Sequence, residues 1–245
     1  MRPFVFAARN RREILRDPLN LTFGIGFPVL VLLLISAIQA NIPADLFRIG
    51  HLAPGIAVFG LSFIALFSGT LIAKDRTTSF LLRLFNSPLS ASDFILGYTL
   101  PLIPMAVAQV ATCFIVAFFL GLPIDVNALF ALIVLLPAVL LFISIGLLAG
   151  TVFTDKQVGA ICGALLTNAT AWLSGTWFDL DLVGETFLRI AYCLPFAHAV
   201  DAARAAMAGD HVAILPHLVW VIGYAAGVAA IAVVVFRRRM TSDWV

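Results

Sequence analysis

Apolar residues in this chain run in long unbroken stretches, not in the alternation of a strand or the one-sided stripe of a soluble helix. Six stretches carry no Asp, Glu, Lys or Arg: 18–44, 49–73, 94–124, 126–154, 157–178 and 212–236. Crossing the ~30 Å hydrocarbon layer takes about 20 apolar residues in a helix, so each stretch can cross once. Lipid-facing barrel strands would show alternating segments of about ten residues instead. The pattern predicts an all-α, polytopic membrane protein with six transmembrane helices. Pro28, Pro54, Pro101, Pro104 and Pro137 lie in or beside these runs. Prolines kink membrane helices and are tolerated where neighbours satisfy the freed carbonyls.

The polar segments between the runs are short, so residues 1–245 read as a single membrane domain. Residues 1–17 mix Phe4, Phe6, Ile14 and Leu15 with five arginines, which suits an amphipathic helix on the lipid surface or a simple topology signal. Residues 74–93 form the longest hydrophilic loop. Residues 179–211, between spans five and six, carry seven charges but enclose a charge-free piece, 190–200, too short to span. That length suits a re-entrant segment. Two short helices broken near Leu194-Pro195, dipping into the outer leaflet and packed against spans five and six, are expected there.

Composition strengthens this picture. Apolar residues make up 62% of the chain and charged ones 11%, against about 25% charged in a soluble domain. A cytosolic enzyme, a nucleic-acid binder and a disordered chain are excluded. Placing the charges orients the spans. Arg2, Arg9, Arg11, Arg12, Arg16, Lys74, Arg76, Arg83, Lys156, Arg237, Arg238 and Arg239 fall on one side; Arg48, Arg189 and Arg204 fall on the other. The positive-inside rule makes the first side, with both termini, cytoplasmic. The first apolar run is too long for a cleavable signal peptide.

The chemistry is sparse. Cys113, Cys162 and Cys193 lack paired spacing and read as small apolar residues. His51, His198, His211 and His217 show no metal-ligand spacing, so no metal is expected. The spans hold no acid or base, whereas ion-coupled transporters and voltage sensors need ionisable groups in the bilayer. The phosphate-binding G-x-x-x-x-G-K-[ST] loop is absent, so the chain binds no cofactor and cannot hydrolyse ATP by itself.

The 74–93 loop is the exception. Thr77 or Thr78 can cap a short helix, Phe80, Leu81, Leu84 and Phe85 share one stripe, and Pro88 ends it. Lys74, Arg76 and Arg83 rim that stripe. Such a helix suits docking to a partner, or rest on lipid. This pattern, with the S-P-L-S sequence after it, resembles the first cytoplasmic loop of ABC-2 type transporter permeases. The arginine-rich lead-in agrees. So does Leu173-Ser174-Gly175-Thr176-Trp177-Phe178, similar to the family's Ser-Gly-x-x-Phe-Pro turn. So does Pro195 followed by Asp201 and Arg204, similar to its Pro-x-x-x-x-x-Asp-x-x-Arg stretch. Two departures stand out: Asp75-Arg76-Thr77-Thr78-Ser79 replaces a glutamate-rich turn, and Asp179 stands where proline is common.

The resemblance implies the membrane subunit of a bacterial ABC exporter in the plasma membrane. Two copies, or one copy and a paralogous permease, would pair with two separate ATPase subunits that bind ATP and Mg. Asp75, Arg76, Phe80, Leu81, Arg83, Leu84, Phe85 and Pro88 would couple to the ATPase. Gly175, Phe178, Pro195, Asp201 and Arg204 would shape an outer re-entrant element. Phe59, Phe63 and Phe67 at helical spacing, with Asn168 and Trp172 of span five, would line a path if those faces meet. An aromatic path with a few polar groups suits a drug-like, lipophilic or amphiphilic substrate. A phenylalanine stripe at helical spacing is, however, more often ordinary packing or lipid contact. A lipid-linked polysaccharide permease and a non-transporting membrane scaffold are the alternatives. An enzyme acting on lipid through His198, Asp201 and Arg204 is weaker, since their spacing on one helix also suits tethering to a neighbour.

Overall fold

The computed structural model describes residues 2–18, 22–41, 47–77 and 91–242. Every element among them is helical. α1 (Arg2–Arg16) is followed by a wide π-turn (Thr22–Gly26) leading into α2 (Phe27–Asn41). α3 (Ile49–Thr77) and α4 (Ala91–Phe119) come next, then α5 (Val126–Val134) and α6 (Leu136–Val152). A continuous helical run follows: α7 (Asp155–Val158), a π-helical piece (Gly159–Leu166) and α8 (Thr167–Leu173). A 3-10 turn (Leu180–Val183), α9 (Glu185–Cys193), α10 (Pro195–Ala208) and α11 (His211–Ser242) complete the chain.

Five helices are long and apolar enough to cross a membrane: Thr22–Asn41, Ile49–Thr77, Asp93–Phe119, Val126–Val152 and His211–Arg239. The fifth expected span, 157–178, is not among them. Its helical run stops at Leu173, and Thr167, Asn168 and Thr170 dilute its apolar character. The expected fourth span is interrupted at Leu135, two residues before Pro137, which stands at the second position of α6. Pro54, Pro101 and Pro104 lie inside α3 and α4, as the apolar runs predict.

α3 is the central post. Of its apolar window 89% is buried, against 11% for α11, so α3 is the core and α11 is peripheral. α2, α4, α6, α10 and the 155–173 run all pack on α3, while α11 packs on α6 and α10. The closest approach is between α3 and α6. A Cβ at Gly146 would lie 2.1 Å from the Ala65 carbonyl oxygen, and one at Gly150 would lie 2.3 Å from that of Gly69. Small residues four apart let membrane helices meet backbone to backbone.

The 74–93 loop is shorter than expected. α3 continues to Thr77 and α4 begins at Ala91, because Asp75 and Arg76 find protein partners and keep the helix going. Thr77 ends α3, its hydroxyl donating to the Lys74 carbonyl. Phe80, Leu81, Arg83, Leu84, Phe85 and Pro88 lie outside the described residues.

Candidate functional site

Helix ends expected on one side of the membrane do gather in space. α1 does not merely rest at a surface: it docks on α4. Phe6 meets Phe94 and Tyr98 edge-on at 5.7 and 4.9 Å, and Phe94 in turn meets Phe236 of α11. Asn10, fully buried, donates to the Gly97 carbonyl at 3.0 Å.

The ion pair beside this contact carries the chemistry. Arg9 donates to both oxygens of Asp75 at 2.7 and 3.0 Å, and the Tyr98 hydroxyl donates to Asp75 at 2.9 Å. The Asp75 side chain is 4% exposed and that of Arg9 36%. A buried carboxylate needs such partners, since an unpaired one costs several kcal/mol. Arg9 also pairs with Glu13 at 2.7 Å. Burial lifts the Glu13 carboxyl above its ordinary range, Arg9 opposing and Asp75 adding to the rise. Arg76 reaches the other way, donating to the Gly150 and Phe153 carbonyls at 2.9 and 3.2 Å. Asp75 and Arg76, expected to face an ATPase, thus bolt the end of α3 to α1, α4 and α6. The 78–90 loop leaves from that bolted end.

The opposite end is built around Arg204. Its guanidinium donates to the His51 carbonyl at 3.2 Å and the Gly175 carbonyl at 2.9 Å, and lies 3.7 Å from Asp201. Burial pulls this guanidinium below its usual value, with Asp201 and Asp179 opposing. Gly175 has φ +69, a left-handed conformation that side chains rarely adopt, which turns its carbonyl toward Arg204. Tyr192 of α9 donates to Asp201 at 2.7 Å, and burial with that carboxylate raises the phenol well above its ordinary value. His51, Ser174, Asp179, Asp181, Tyr192, Asp201 and Arg204 surround a polar cavity of about 370 Å³. The spacing of His198, Asp201 and Arg204 therefore serves tethering, of α10 to α3, α9 and α11.

The expected break at Leu194-Pro195 is present. α9 ends at Cys193, and Pro195, buried, opens α10. α10 packs mainly on α11, α5 and α3 and only slightly on α8, so span five is a minor partner. Phe178 sits between Trp172 at 5.9 Å and Phe187 at 6.1 Å.

The expected path residues do not meet within the chain. Phe59 and Phe63 pack against Phe27 at 6.4 and 5.4 Å, Phe59 also against Trp177 at 5.5 Å, and all three phenylalanines of the stripe are buried. Phe59 and Phe63 thus pack where α3 meets α2 and, through Phe59, the segment after α8. Asn168 and Trp172 lie on an exposed face, Asn168 donating to the Ala164 carbonyl of its own helix.

Sequence reasoning missed Arg9, Asn10 and Tyr98 as members of the bolted end. A lone tyrosine and asparagine at the edge of polar and apolar segments give no local signal. It also missed Gly146 and Gly150, although G-x-x-x-G was legible there. His198 and His217, nineteen residues apart, are brought to 2.8 Å.

A bundle of membrane-length helices with an amphipathic N-terminal helix, ionisable groups gathered at its two ends and a broken helix pair at one end is the architecture of a multi-pass membrane protein. The ABC-2 type transporter family profile matches residues 4–208, and the chain belongs to that family. It is also 35% identical over 136 residues to ycf38 of Porphyra purpurea, named as a candidate transport permease; the match covers 52% of this chain and 47% of that protein. The chain thus spans about half the length of that relative, and its family is one of ABC-2 type transporters.

Proposed function

We propose that the chain is half of the membrane portion of an ATP-driven exporter, working as two permease copies with two separate ATPase subunits. The observation that carries this is the bolted end, where Arg9, Asp75, Tyr98 and Arg76 join the exit of α3 rigidly to α1, α4 and α6. A force on the 78–90 loop, which leaves from that end, would reach several membrane helices at once. The apolar runs of the sequence carry no Asp, Glu, Lys or Arg, which favours a drive supplied from outside the chain. The apolar stripe Phe80, Leu81, Leu84 and Phe85 is the docking knob, with Arg83 at its rim and Pro88 at its end.

In this reading the 155–173 run, with the chain to Phe178, is the sixth crossing, and α9–α10 form the outer re-entrant pair shaping the exit. The exposed face of Asn168 and Trp172 turns toward the second copy, and the path runs between the copies. Its mixed aromatic and amide surface suits a lipophilic or amphiphilic substrate. Both termini are cytoplasmic and the membrane is a bacterial plasma membrane. ATP and Mg belong to the partner. Co-purification with a P-loop ATPase, and stimulation of its hydrolysis in liposomes by amphiphilic compounds, tests the reading. A permease that never associates with an ATPase, or never alters its rate, overturns it.

A further inference from the structure

The chain has four histidines, and two of them meet where α9, α10 and α11 converge. Nδ1 of His198 lies 2.8 Å from Nδ1 of His217, and Nε2 of His198 lies 3.0 Å from the Tyr192 carbonyl oxygen. A carbonyl oxygen only accepts, so His198 carries its proton on Nε2. In neutral His198, Nδ1 is then a bare acceptor, and the proton between the rings belongs to Nδ1 of His217. A first added proton settles on Nε2 of His217 and leaves every bond intact. A second must go to Nδ1 of His198. It would set two N–H groups and two positive charges face to face.

We propose that His198 and His217 form a site for a single proton that clips α10 to α11, and that a second proton opens the clip.

The surroundings favour this order. The Trp220 ring stacks on His198 at 5.2 Å and 3°, and Tyr192 covers it edge-on at 5.3 Å. Burial lowers the pKa of His198, the Tyr192 carbonyl opposing and His217 adding to the fall. Few other titratable groups face the pair. α9 brings Tyr192, already bonded to Asp201 of α10, and Arg204 lies further along α10, held by His51 of α3. α11 adds Tyr224, whose hydroxyl donates to the Cys193 carbonyl at 2.5 Å, and α5 carries no titratable residue. The Cys193 bond and the histidine clip together hold the α9–α10 break against α11. Opening the clip therefore frees that break, whatever the protein transports.

Histidine 15N NMR of the full chain in lipid nanodiscs tests the proton order, with His51→Gln and His211→Gln isolating the pair. The expected result is an Nε2–H tautomer at His198 and an Nδ1–H tautomer at His217. An Nδ1–H tautomer at His198 overturns the proposal. Labelling of Cys193, the exposed thiol of the three, tests the opening. In His217→Gln the amide can either donate to or accept from His198, so the clip persists in acid. At about pH 7.5 both proteins should label alike, and at about pH 5, below histidine's ordinary range, wild type should label several-fold faster. Equal rates at both pH values overturn the proposal.

Discussion

Asp75 shows how much one carboxylate can organise when it is taken out of water. It joins Arg9 of α1 and Tyr98 of α4 to the end of α3. Removing one member of a fully buried pair costs about 3–5 kcal/mol. Arg9 is 36% exposed and regains water, but the buried Tyr98 hydroxyl loses its acceptor, so Asp75→Ala should lose about 3 kcal/mol by thermal unfolding in nanodiscs. Tyr98→Phe removes one hydrogen bond to a charged group and should cost about 1.5–3 kcal/mol. Non-additive losses in the double variant would show that the three residues act as a unit. At the other end, burial lowers the pKa of His198. The unfolded chain, with a histidine pKa of about 6.5, therefore takes up protons that the fold refuses. Stability should fall as pH falls from about 6.5 through the folded value, and His198→Gln should flatten that slope. The sequence showed Asp75 and Arg76 as a charged pair after an apolar run. It did not show their partners, because Arg9 lies 66 residues away and nothing local links them.

Close helix contact can be read from glycine spacing only in part. Gly146 and Gly150 stand four apart on α6 and meet the α3 backbone; Gly223 and Gly227 stand four apart on α11, and a Cβ at either would meet nothing within 4 Å. The two motifs look alike in sequence, and only the fold separates them. Gly150→Ala should push α6 from α3 and cost about 1–3 kcal/mol by overpacking. Gly227→Ala should be neutral or stabilise by up to about 1 kcal/mol through helix propensity, as thermal unfolding would show. The break at Leu194-Pro195 was legible, because proline opens helices well and disfavours a helical residue before it. The phenylalanine stripe of α3 was legible as a stripe and its packing role was foreseen, but its partners, Phe27 and Trp177, were not, since they come from distant segments.

At the scale of the molecule, the run lengths of apolar residues and the sidedness of the bases predicted which helix ends belong together, and those ends do meet. α1 joins the end of α3 and the start of α4; Arg204 joins the start of α3 to the 174–175 turn. The run at 155–173 was harder to read, because its polar residues and π-helical stretch weaken the apolar signal. Cysteines placed at Arg12 and at Glu185 should label from opposite sides of sealed vesicles, Arg12 from the cytoplasmic face. Labelling of both from one side would overturn the topology. If a separate ATPase drives these helices through residues 78–90, ATP hydrolysis by the reconstituted complex carrying Phe80→Glu, Leu84→Glu and Phe85→Glu together should lose its permease-dependent stimulation while membrane insertion is retained; undiminished stimulation would show that the drive does not pass through these residues.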